Sequence, residues 1–176
     1  MPGPERRQVS LFYSYSHKDE RLRARLEVHL SPLKREGVIE GWNDRAIDAG
    51  GEWAEEIGEH LELAGIILLL VSADFIASEY CWGNELARAL ERHKEGEACV
   101  VPIIVKPVDW TGAPFARLQA LPKDGKPVTL WNNREAAWLD VAKGIRKVAE
   151  KLAAGLPLET SSPAGASIGQ LMWRRL

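Results

Sequence analysis

Apolar and polar positions along the chain follow two periods. Residues 9–14 (VSLFYS) are rich in β-branched and aromatic side chains, which predicts a buried strand. Leu22, Leu26, Leu30 and Leu33 then recur at i, i+4, i+8 and i+11 against charged positions, which predicts an amphipathic helix. Ser16 is the N-cap candidate, with Asp19 three residues on. Pro32 and Gly37 are expected to end this helix, and residues 38–43 (VIEGWN) read as a short second strand. Trp53, Ile57 and Leu61 repeat at i, i+4 and i+8 as the inward face of a second helix. Its early acids Glu52, Glu55 and Glu56 suit a helix N-terminus. Residues 66–71 (IILLLV) are continuously apolar, the mark of a strand covered on both faces. A loop over 72–78 and a helix over 79–94, with Leu86 and Leu90 inward, follow. Residues 100–105 (VVPIIV) read as a fourth strand, in which Pro102 requires an edge or a bulge. A long proline-containing connection leads to a short fifth strand over 128–130. Residues 134–154 predict a last helix with Trp138, Val141, Ala142, Ile145, Val148, Ala149 and Leu152 on one stripe.

Strands alternating with helices imply an α/β fold: an open five-stranded parallel sheet, order 2-1-3-4-5, flanked by helices on both faces, as in flavodoxin-like folds. Ligands in such sheets lie beyond the carboxyl ends of the strands, where strands 1 and 3 diverge. The segments there are Ser14-Tyr15-Ser16 and Ser72-Ala73-Asp74, with the turn-rich loop 44–51 (DRAIDAGG) beside them. Residues 1–7 are expected to be a disordered N-terminus and 8–154 a single domain. Residues 155–176 break the pattern: a Gly/Pro/Ser-rich linker, then Ile168–Leu176 with Leu, Met, Trp and two Arg. That end is either a floppy terminus or a short amphipathic docking peptide.

Composition narrows the classes. The chain has 176 residues, 45% hydrophobic and 27% charged, enough for a core without staples. The net charge of −2 supplies no broad basic field, so direct nucleic-acid or membrane partners are not expected. The longest apolar run is six residues, Ile66–Val71, against about 20 for a membrane span. No apolar segment follows the N-terminal arginines, so no signal peptide is expected and the predicted location is cytoplasmic. Cys81 and Cys99 show no CxxC or framework spacing and read as buried thiols.

Motifs eliminate three users of this architecture. Residues 12–17 (FYSYSH) contain no glycine, which excludes a GxGxxG dinucleotide loop. No GxxxxGK[ST] phosphate cradle occurs in the chain, and a receiver domain's acids after strands 1 and 3 are replaced by Ser and Tyr. His17, His29, His60 and His93 have no ligand spacing, so no metal site and no bound cofactor are expected. What remains is a mouth rich in hydroxyl and aromatic groups, with acids brought by loops and the third helix.

Three stretches carry a family resemblance: VSLFYSYSHKDE, GWNDRAIDAGGEWAEEI and IILLLVSADFIASEYCWGNELARAL. With VVPIIVKPVDW and LQALPKDGKPVTLW they resemble a bacterial Toll/interleukin-1 receptor (TIR) domain over residues 8–154. The resemblance implies an enzyme that takes NAD+ as substrate and cleaves the nicotinamide–ribose bond, releasing ADP-ribose or a cyclic isomer. Nicotinamide leaves as a neutral ring, so one carboxylate suffices to orient the ribose and stabilise its oxocarbenium-like charge. In the run SEYCWGNEL, Glu85 with Leu86 takes the family's Glu-Leu position and is the implied catalytic residue. Glu79 is a competing carboxylate. The plainer alternative for Glu85 is a solvated helix acid paired with Arg88 or Arg92. Substrate-binding roles fall on Phe12, Ser14, Tyr15, Ser16, Trp42, Asp44, Arg45, Ser72, Tyr80, Cys81 and Trp82. Ala46, Ile47, Asp48, Ala49, Gly50 and Gly51 fall in the loop that closes the pocket and mediates assembly in that family. The implied role is an effector of prokaryotic antiviral defence, activated by self-association and by a separate sensor protein. A non-catalytic scaffold acting through TIR–TIR contacts is the alternative.

Overall fold

The computed structural model describes residues 7–41, 53–78 and 83–155. Among the described residues four parallel strands, β1 (Val9–Ser14), β2 (Ile39–Gly41), β3 (Ile66–Val71) and β4 (Cys99–Ile104), form one sheet in the order β2-β1-β3-β4. Helices α1 (Glu20–Arg35) and α5 (Arg134–Ala153) cover one face. Helices α2 (Trp53–Leu63), α3 (Ala73–Ala77) and α4 (Asn84–Lys94) cover the other. The predicted α/β architecture and the order 2-1-3-4 hold.

The fifth strand is a correction. Residues 128–130 form a 3₁₀ turn after Pro127, held to the sheet by Thr129 N–H donating to the Val105 carbonyl at 3.2 Å. The place beside β4 is taken by Leu121, which bridges Ile103. Leu121 N–H donates to the Pro102 carbonyl at 2.8 Å, so the backbone of Pro102 faces the outer edge and costs the β3 ladder no donor.

Strand period 2 divides the core. Leu11, Tyr13, Leu68, Leu70, Val101 and Ile103 point toward α1 and α5. Phe12, Ile67, Leu69, Val71 and Val100 point toward α2 and α4. β3 is buried at every residue, as its unbroken apolar run requires.

Pro32 does not end α1. It lies in the last full turn, and the Val28 carbonyl that a Pro32 N–H would have served accepts from Ser31 Oγ at 2.7 Å instead. The stop is Gly37, at φ +71°, with Val38 N–H returning to the Leu33 carbonyl at 2.9 Å. Residues 72–78, expected as a loop, hold the short α3, because Ser72 Oγ caps it by accepting from Phe75 N–H at 3.1 Å. The predicted helix over 79–94 is observed from Asn84, and 79–82 lie outside the described residues. So do the tail from 156 onward and the side chain of Trp53. Among the described residues no helix is long and apolar enough to cross a membrane. Cys99 is buried, and burial pushes its thiol up to about 11, as an inert core thiol should be.

Candidate functional site

On the α2/α4 face, near the end of β1, lies a small cleft. Its floor is Phe12 and Ser14 of β1 with Ile67 and Leu69 of β3. These are register partners, Phe12 beside Ile67 and Ser14 beside Leu69, so strand pairing fixes all four on one face. One wall is Leu61 of α2; the other is Glu85, Leu86 and Ala89 of α4. Glu85 sits in the first turn of α4, where the helix dipole favours a carboxylate. Among these lining residues it is the ionisable group, half-buried on a mostly apolar rim.

The arginines offered as plain partners for Glu85 have other engagements. Arg88 forks onto Glu62 and reaches Glu91 at 2.8 Å. Arg92 is buried and donates to the Leu61 and Ala64 carbonyls at 2.6 and 2.8 Å, closing the end of α2.

The structure thus gathers Phe12, Ser14 and Glu85, and places three other predicted residues elsewhere. Tyr15 packs with the α1/α5 core, where its hydroxyl donates to Glu20 at 2.5 Å. The Arg23 guanidinium stands over its ring at 5.6 Å. Ser16 is the expected cap, but of a 3₁₀ turn, His17–Asp19, accepting from Lys18 N–H at 3.3 Å. Ser72 is fully buried, its hydroxyl shared between Asp19 and Phe75 N–H. Trp42, Asp44, Arg45, Ala46, Ile47, Asp48, Ala49, Gly50, Gly51, Glu79, Tyr80, Cys81 and Trp82 lie outside the described residues. Among the described residues no group of three His, Cys, Asp or Glu side chains is placed to hold a metal.

At the carboxyl ends of the strands a second polar cluster closes the sheet. Asp19 is buried and accepts from Ser72 Oγ and from Lys106 Nζ, the latter at 2.7 Å. Lys18 reaches Asp74 at 3.4 Å nearby.

With this geometry in hand, the sequence itself decides the family. The family pattern for the TIR domain matches residues 11–143. The chain belongs to the TIR-domain family. A curated relative, the uncharacterized protein y4lF of Sinorhizobium fredii (strain NBRC 101917 / NGR234), is 50% identical over 170 residues. That alignment takes in 91% of this chain and 53% of the relative, so the TIR chain spans about half the length of the curated relative it matches. Among solved structures, the TIR domain of the Toll-related receptor TRR-2 from Hydra magnipapillata superposes with a TM-score of 0.57 at 18% identity. The match covers 78% of this TIR chain and 96% of that one, and it establishes the shared fold.

Sequence reasoning on this TIR domain passed over two features. Leu61, Leu86 and Ala89 are helix-face residues that also build the cleft wall. Lys106 is the first polar residue after the apolar strand β4, a position at the ligand-facing end of a parallel sheet, and that placement was a usable signal.

Proposed function

We propose that this TIR domain cleaves NAD+ at the nicotinamide–ribose bond, with Glu85 as the working carboxylate. The observation that carries the reading is the convergence of Glu85, Phe12 and Ser14 on one cleft. Phe12, Leu61 and Leu69 offer an apolar bed for a flat ring, and Ser14 offers a hydroxyl to the sugar.

In the step itself the C1′–N1 bond breaks and its electron pair stays on the nicotinamide nitrogen, which becomes neutral. The ribose carries oxocarbenium-like charge, which the Glu85 carboxylate stabilises while accepting from ribose hydroxyls. Water then adds at C1′ and gives its proton to solvent, yielding ADP-ribose; attack by an adenine nitrogen of the same molecule gives a cyclic isomer. Self-association, a separate sensor partner and a role in antiviral defence belong to the same reading.

The test is nicotinamide release from NAD+ by the purified chain, dilute and under crowding, beside Glu85→Gln. Release by the parent and its loss in Glu85→Gln support the proposal. No release under any assembling condition sinks the enzyme and leaves the scaffold; release that ignores Glu85→Gln sinks the assignment of the site.

A further inference from the structure

α2 and α4, which supply the two walls of the cleft, are joined by polar contacts. Arg92, buried, caps the last carbonyls of α2, and helix termination accounts for it. Arg88 has no such explanation. Its Nε donates to Glu62 Oε1 at 2.5 Å and its Nη2 to Glu62 Oε2 at 2.9 Å, a bidentate fork between α4 and α2. Its Nη1 is anchored on Glu91 at 2.8 Å, which fixes the guanidinium plane. Arg88 lies one helical turn from Glu85, and Glu62 is the neighbour of Leu61 on the opposite wall. The two side chains are 37% and 46% exposed, so the pair adds little to stability. It nevertheless spans the two helices that form the walls.

We propose that Arg88 and Glu62 are positioning residues: their fork sets the separation of α2 and α4 and so holds the Glu85 carboxylate at its working place in the cleft. This rests on Glu85 being the reacting carboxylate. The hydrogen bonds from Arg88 keep the Glu62 carboxyl below the usual carboxylate range, so the fork persists through the neutral pH range.

Glu62→Gln, Arg88→Gln and the double variant test this, because Glu62 sits on the other helix and leaves the charges around Glu85 otherwise intact. Three quantities are read: nicotinamide release, the unfolding midpoint, and amide hydrogen exchange over 83–90. Each single variant is expected to keep its midpoint within about 3 °C of the parent. Each is expected to lose kcat on the order of ten-fold, with KM within about two-fold, and to exchange faster over 83–90. The double variant is expected to be no worse than either single one. Parental kcat and parental exchange in Glu62→Gln overturn the proposal. If the parent releases no nicotinamide, or Glu85→Gln releases it at the parental rate, the catalytic reading has failed by itself. Exchange over 83–90 then decides: faster exchange in both single variants supports the fork as the clamp on α4, and unchanged exchange overturns it.

Discussion

Lys106 Nζ lies 2.7 Å from Oδ1 of Asp19, whose side chain has no solvent exposure while Lys106 keeps 38% of its own. With Ser72 Oγ on the other carboxylate oxygen, this pair ties the chain just beyond β1 to the ends of β3 and β4. A buried carboxylate is costly unless each partner is in place. Lys106→Met is therefore expected to lower the unfolding free energy by about 2–3 kcal/mol, the scale of losing a charge-assisted hydrogen bond to a buried group. In the Asp19→Asn background the same change should cost at least about 1 kcal/mol less, since no charge is left stranded. Urea unfolding of the four proteins in this cycle measures both quantities; additivity would show that the two residues do not act as a pair.

Much of the fold was legible because burial writes it into the chain. β3 begins and ends where its apolar run does, since a strand covered on both faces admits no polar residue. The segment 128–130 was misread because three residues of VTL are too few to show a period, and Pro127 before them favours a turn. Asp19 was legible only as a local cap, because its partners stand 53 and 87 residues away, and local spacing cannot reveal such a contact. Glu85 was singled out through a family motif; no local pattern sets it apart from the other helix acids. Tyr15, by contrast, was readable: a strand that turns Phe12 and Ser14 to one face turns Tyr13 and Tyr15 to the other.

His93 gives the stability a definite pH dependence. Its Nδ1 accepts from Val100 N–H at 3.0 Å, and burial holds the imidazole below its ordinary pKa of 6.5. The folded state therefore prefers neutral His93. As pH falls below about 6.5 the unfolded chain takes up a proton that the folded chain resists, so this contribution is full above pH 6.5 and is lost on acidification. The unfolding free energy of the parent is expected to drop more steeply between pH 6.5 and 5 than that of His93→Gln. Parallel curves for the two proteins would remove His93 from the account.

Trp138 is the largest wholly packed side chain on the α5 side, 2% exposed in the cluster that holds Leu26, Leu30 and Val128. Trp138→Ala is expected to cost about 3–5 kcal/mol, through lost burial and the cavity left behind. The same change at a position exposed to solvent costs far less, so a loss below about 1 kcal/mol in urea unfolding would contradict the packing described.

Neighbouring residues at the end of β1 separate binding from packing. Ser14 puts its side chain into the cleft with Glu85, whereas Tyr15 gives its hydroxyl to Glu20 on the opposite face of the sheet. If NAD+ is held as proposed, Ser14→Ala removes one hydrogen bond to the substrate from an apolar bed, about 1 kcal/mol, and kcat/KM falls roughly five- to ten-fold. Because the bond is made to the ground state and the transition state alike, the loss should appear mainly in KM. Tyr15→Phe keeps the ring under Arg23 and surrenders only the hydroxyl, so kcat/KM should stay within about two-fold of the parent while the unfolding free energy falls by about 1 kcal/mol. Steady-state kinetics and urea unfolding on the two variants give four numbers. A Tyr15→Phe enzyme crippled at parental stability would place the substrate on the α1 side of the sheet and not in the cleft beside Glu85.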